Sequence, residues 1–114
     1  MRVSVARALA TTPRLLLMDE PFGALDEMTR DRLNEELLRL RAEQNWTAVF
    51  VTHSVAEAVF LSTRIIVLAP SPGRIAQQIG IDLPFPRTSV TRESGRFESY
   101  VTEVSRALRG VHSA

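Results

Sequence analysis

The 114-residue chain has neither cysteine nor lysine. Without cysteine there is no disulfide framework, thiolate metal site or cysteine nucleophile, and cysteine usage says nothing about redox compartment. Without lysine there is no Schiff-base amine and no lysine for a phosphate-binding loop. The five glycines, at positions 23, 73, 80, 95 and 110, form no G-x-x-x-x-G-K-[ST] loop. All fourteen basic residues are arginines, and against 13 acids they leave a net charge of +1. They are interleaved with the acids, which argues against a dedicated nucleic-acid binder. No apolar run approaches the roughly 20 residues needed to cross a bilayer. Arg2 and Arg7 interrupt the short Val/Ala stretch at the start, unlike a cleavable signal, so the expected compartment is the cytoplasm.

What is present reads as one small α/β domain. Hydrophobic residues make up 45% and charged residues 24%, the balance of a globular domain rather than a disordered chain. Val5, Ala8 and Leu9 predict the last turns of a helix over Arg2–Ala10, closed by Pro13. Leu15–Met18 is an apolar run too short for a helix and reads as a buried parallel-type strand. Glu27–Gln44 is helical, with Leu33, Leu37 and Leu40 on one face, Leu38 beside them, and Asp31, Arg39 and Glu43 outside it; Asp26 is a good N-cap. Ala48–Thr52 is a second strand. Ser54 and Glu57 fit a capping box, and a short helix runs on to about Leu61. Ile65–Leu68 reads as a third strand, Pro70, Pro72 and Gly73 as a turn, and Arg74–Ile81 as a weaker strand that can pair with the third as a hairpin. After a loop marked by Pro84 and Pro86, Glu93–Arg109 is an amphipathic helix carrying Phe97, Tyr100, Val101, Val104 and Leu108. Three parallel-type strands with two or three helices make half of a doubly wound domain, and such a half leaves a sheet edge unpaired.

Chemistry concentrates where the first two strands end. In an open parallel sheet, ligands bind beyond the carboxyl ends of the strands. The first ends in Asp19-Glu20 and the second in Thr52-His53, so neighbouring strands bring an acid pair and an imidazole to one rim. A strand-tip aspartate suits a hydrated magnesium ion, which prefers oxygen ligands and keeps several waters. The next carboxylate can hold a water for in-line attack, and a histidine can contact a phosphoryl oxygen.

These residues resemble a known family. Leu15–Asp26 (LLLMDEPFGALD), followed by Val49–Ser54 (VFVTHS), is similar to the Walker B, D-loop and H-loop series of ATP-binding-cassette (ABC) transporter ATPases. Ser4–Ala10 (SVARALA) resembles the helix that follows that family's signature motif. These motifs span Arg2 to about Leu68. Glu57–Ile75, together with IDLPFPR at Ile81–Arg87, is similar to the nitrate, sulfonate and taurine importer ATPases. The resemblance implies the C-terminal half of a P-loop NTPase (RecA-like) nucleotide-binding domain, with parallel strands flanked by helices and a C-terminal helix. Residues 1–114 would be one partial ABC ATPase domain, of which about 82–114 is a C-terminal extension.

By the same resemblance, Asp19 positions Mg2+ through water, Glu20 is the general base, and His53 reaches the γ-phosphate of ATP. Pro21 and Phe22 shape the strand exit, and Gly23, Ala24, Leu25 and Asp26 form the D-loop. Asp19, Asp26 and His53 would be the cofactor-binding set. The implied partners are a membrane permease, a second ATPase subunit and, indirectly, a periplasmic or extracellular solute-binding protein, with no nucleic acid. The implied place is the cytoplasmic face of the cell membrane.

The Gly-rich loop, the adenine-stacking aromatic, the glutamine loop and the Leu-Ser-Gly-Gly core of the signature would lie upstream of Met1. The expectation is therefore a truncated subunit, inactive alone. Plainer roles compete. Asp26 can be only a cap and His53 only a turn residue. Arg30, Arg32, Arg39 and Arg41 read as a solvated face, and Trp46 as packing. Two other functions stand beside the ATPase. One is a non-enzymatic fragment that docks on an intact ABC ATPase; the other is a small metal-dependent phosphohydrolase using Asp19, Glu20 and His53, with His112 as the one further histidine.

Overall fold

The computed structural model describes residues 15–20, 22–44, 47–70 and 73–113, and of residues 15, 16, 44, 112 and 113 the backbone alone. The expected helix over Arg2–Ala10, with Pro13, Pro21, Trp46 and Pro72, lies outside them. The chain divides into two units, Met1–Ser54 and Val55–Ala114.

The first unit is a β–α–β run: β1 (Leu15–Asp19), α1 (Glu27–Gln44) and β2 (Thr47–Val51). Both strands are short apolar runs, and they pair parallel with Leu17 opposite Val49 and Asp19 opposite Val51. A parallel pair needs a long crossover, and the 18-residue helix supplies it. The second strand begins and ends one residue earlier than its hydrophobic pattern suggests, so Thr52 lies just past it. Along α1, Asn34 and Leu37 are the most deeply buried residues, while Leu33, Leu38 and Leu40 are half-buried and Arg39 and Glu43 exposed. Asn34 was not expected on the buried face, because an amide in an apolar stripe has no periodic signature. The Arg39–Glu36 pair, at 2.9 Å, is exposed on both sides. Solvent screening leaves such a pair only a few tenths of a kcal/mol, about 0.3–0.5, so the helix relies on its capped start and its buried stripe.

The second unit contains α2 (Val55–Leu61), β3 (Arg64–Leu68), β4 (Ile75–Gly80), α3 (Ser89–Arg92) and α4 (Gly95–Ser113). α2 starts directly after Ser54, the expected N-cap position. The expected hairpin forms: β3 and β4 pair antiparallel, with Ile65 opposite Ile79 and an irregularity between Val67 and Leu68. The turn between them carries Gly73 at φ 77°, a left-handed conformation that suits glycine. The expectation of three parallel-type strands is corrected here. Among the described residues only β1 and β2 run parallel, and β3 finds its ladder in β4, because the short link 69–74 can only fold the chain straight back.

The core of this unit is Val59, Phe60 and Leu61 from α2, Ile65, Val67 and Ile79 from the hairpin, Ile81 and Leu83 from the loop, and Phe97 and Val104 from α4. α4 packs against α2, β3 and β4. Its start differs from the expected Glu93. Thr88 caps the short α3, accepting from the Val90 amide at 3.2 Å while its own amide donates to Thr91 Oγ1 at 2.9 Å. Glu93 ends that turn. Ser94 then opens α4, its Oγ accepting from the Phe97 amide at 3.2 Å. The apolar stripe is as expected, with Phe97 and Val104 buried and Tyr100, Val101 and Leu108 half-buried.

One cation sits inside this core. Arg87 is 3% exposed, and its guanidinium donates to a ring of main-chain carbonyls. Nη1 reaches Val59 (3.3 Å), Phe60 (3.0 Å) and Ser62 (2.7 Å), Nη2 reaches Leu83 (3.1 Å), and Nε also donates to Leu83 (3.3 Å). The Val59 and Phe60 carbonyls belong to the last turn of α2, which lacks intrahelical donors and carries negative partial charge. The Phe85 ring lies 4.1 Å from the guanidinium carbon. Arg87→Met should lower the unfolding free energy by about 3 kcal/mol, because it strands several buried acceptors. Arg87→Lys should recover less than half of that loss, since one ammonium cannot span the ring. Urea denaturation of the two variants checks both statements; equal stability of the Lys variant and the parent would refute them.

Candidate functional site

The parallel ladder places the carboxyl ends of β1 and β2 side by side. It continues one step past β1, where the Glu20 amide donates to the Val51 carbonyl at 2.7 Å. Glu20 itself turns the chain, with φ 47° in the left-handed region that non-glycine residues seldom occupy. Its carbonyl accepts from the Gly23 amide at 3.2 Å, and the Leu25 amide donates to Phe22 at 3.1 Å, so the exit loop is two tight turns in succession. Phe22, 3% exposed, anchors that loop. An added Cβ at Gly23 would lie 3.5 Å from the Glu20 carbonyl oxygen, ordinary contact, so this glycine is not demanded by space.

On β2 the chain leaves through Thr52, whose hydroxyl accepts from the Ser54 amide at 3.0 Å and so bends the chain at His53. His53 Nε2 then lies 3.3 Å from Glu20 Oε1. The histidine side chain is 91% exposed and the glutamate 41%. The contact is an ion pair when the imidazole is protonated and a hydrogen bond when Nε2 carries the only ring proton. In either form it orients the carboxylate, and both groups stay open to a ligand arriving from solvent.

Asp19 is exposed and makes no hydrogen bond or ion pair among the described residues. No group of three or more His, Cys, Asp or Glu among those residues is placed to hold a metal ion. A single free strand-tip carboxylate fits a cation that keeps its waters and takes its other oxygens from phosphates, and does not fit a metal that needs a full protein cage. The side chain of His112 lies outside the described residues.

Asp26 takes the capping role in full. Its Oδ1 accepts from the Thr29 amide at 2.8 Å, its Oδ2 from the Thr29 hydroxyl at 2.9 Å, and its carbonyl from the Arg30 amide at 2.9 Å. Thr29 was missed in the sequence, although a hydroxyl three residues after an aspartate cap is a readable signal. The rim therefore brings Glu20 and His53 into contact, with Asp19 on the same strand end but joined to neither, and Asp26 caps the start of α1.

Asp26→Ala should cost about 1 kcal/mol, and Thr29→Val a smaller fraction of it, in urea denaturation followed by far-ultraviolet circular dichroism. Glu20→Gly should raise stability by about 0.5–1 kcal/mol by relieving the left-handed strain, although it removes the carboxylate. A Glu20→Gly variant less stable than the parent would contradict that reading of the turn.

No family model matches the chain. It is 47% identical over 107 residues to a putative ATP-binding protein of Brucella melitensis, a match covering 94% of this chain and 45% of that protein. It is 50% identical over 93 residues to an aliphatic sulfonates import ATP-binding protein of Bacillus cereus, covering 82% of this chain and 37% of that one. It is 54% identical over 87 residues to a bicarbonate transport ATP-binding protein of Synechococcus elongatus, covering 75% of this chain and 13% of that one. The chain thus spans less than half the length of these relatives.

Proposed function

We propose that this chain, a homologue of the ATP-binding proteins of ABC transporters, carries the water-activating half of an ATP-hydrolysing site that drives solute import. The observation that carries the reading is the 3.3 Å contact between Glu20 and His53 at the ends of two parallel strands. Glu20 takes the proton of the attacking water. His53 holds the Glu20 carboxylate and donates toward the terminal phosphate, where charge spreads during transfer. Asp19 holds Mg2+ through water, and the ion, when bound, neutralises phosphate charge. Asp26 keeps the loop Phe22–Leu25 in place as the cap of α1, the loop that resembles a D-loop facing a second ATPase subunit.

The similarity to a sulfonate import protein and a bicarbonate transport protein supports an importer for small anions in the nitrate, sulfonate and taurine class. The partners of this reading are a membrane permease, a second ATPase subunit and, through the permease, a solute-binding protein, with the subunit at the cytoplasmic face of the membrane. No helix among the described residues is long and apolar enough to cross a membrane.

Phosphate grip is the missing element. The chain has no lysine and no Gly-rich loop, so nothing in it replaces the β- and γ-phosphate contacts such a loop provides. The 114-residue chain alone should therefore hydrolyse MgATP no faster than buffer. Phosphate release by the purified chain, compared with its Glu20→Gln variant, tests this. Magnesium-dependent release that vanishes in the variant would show that the chain suffices by itself, and equal release on a generic phosphoester would favour a small phosphohydrolase instead.

A further inference from the structure

The imidazole of His53 is 91% exposed, and among the described residues Glu20 is its one hydrogen-bonding or ion-pair partner. Packing therefore does not fix the ring. A side chain so free holds a 3.3 Å contact only if its backbone is held first, because each loose torsion spreads the ring over more directions. β2 ends at Val51 and α2 begins at Val55, so His53 lies in the link 52–54, outside any ladder or helix. Two hydrogen bonds flank the contact: the Glu20 amide donates to the Val51 carbonyl at 2.7 Å, and the Ser54 amide donates to Thr52 Oγ1 at 3.0 Å. The first holds the carboxylate's backbone, and the second closes a small ring of chain around His53. Thr52 is half-buried and branched at Cβ, so few directions are open to its hydroxyl.

We propose that Thr52 is a positioning residue for His53: by holding the Ser54 amide, its hydroxyl fixes the backbone of His53 and so aims the imidazole at Glu20. The inference rests on reading Glu20 and His53 as the water-activating pair of an ATP-hydrolysing site. Thr52 moves no proton itself and acts through His53 alone. Valine has nearly the same shape and would extend the apolar run of β2, yet it offers the Ser54 amide no acceptor. A histidine that donates toward a terminal phosphate must stand in place as the ligand arrives, since a displacement of about 1 Å can cost on the order of a hundredfold in rate.

Nuclear Overhauser cross-peaks in the 114-residue chain test this without any nucleotide. In the parent chain the His53 ring protons should show cross-peaks to the Glu20 γ-protons. Thr52→Val should weaken them about fivefold, the population change that matches the net worth of one hydrogen bond. Thr52→Ser keeps the oxygen and should retain most of the signal. A merely structural threonine gives another pattern: Thr52→Val lowers stability in urea but leaves the cross-peaks of the folded chain intact, and that result would overturn the proposal. Cross-peaks lost equally in Thr52→Ser would overturn it too, because the hydroxyl would then not be what aims the ring. Hydrogen exchange of the Ser54 amide in the parent is a readout that no folding defect of a variant can obscure. Slowed exchange is expected, and exchange at the rate of an unstructured peptide overturns the proposal. Absence of the Glu20 cross-peaks in the parent is a separate outcome: it discards the catalytic reading, and with it the pair that Thr52 serves.

Discussion

Pairing two strands in parallel, rather than antiparallel, puts both carboxyl ends on one rim, and the candidate site depends on that choice. In an antiparallel pair the Asp19-Glu20 end of β1 would lie beside the start of β2, a strand length from His53. The parallel ladder instead carries on to the Glu20 amide and the Val51 carbonyl, at 2.7 Å. That last hydrogen bond holds Glu20 while its backbone takes a left-handed turn, and the turn aims the carboxylate at the imidazole. Geometry of this kind costs backbone strain of about 1–3 kcal/mol at the residue that adopts it.

The two units hold themselves together by different means. The first relies on a five-residue parallel ladder and a capped helix. The second has a continuous apolar core and a buried guanidinium whose partners are main-chain oxygens. Burying a cation without partners would be prohibitive, and here the carbonyl ring and the Phe85 face replace water. Those carbonyls come from a helix end and from the loop before the arginine, so a single side chain fixes the exit of α2 relative to the Ile81–Leu83 segment.

Much of this was legible in the sequence where one local rule dominates. The apolar runs gave β1 and β2, the leucine spacing gave α1, and the proline-glycine turn gave the hairpin. Glu20 and His53 could be placed together because the ends of neighbouring strands carry them. What was not legible depends on contacts far along the chain. Asn34 is buried in a helix whose pattern favours leucine. Arg87 looks like one more surface arginine until the carbonyls around it are known. The start of α4 was misplaced because two successive caps, Thr88 and Ser94, compete for the same stretch, and hydrophobic periodicity is blind to caps.

Arg87 also sets an order of events during synthesis. Its farthest partner, the Val59 carbonyl, precedes it by 28 positions. On the ribosome, therefore, the residues of α2 and the hairpin emerge before the cation that closes their carbonyl ring exists. The second core closes late, when the loop carrying Arg87 and then the Phe97–Val104 face of α4 have been made, so a nascent chain stopped in the hairpin exposes the same apolar residues that the finished unit buries.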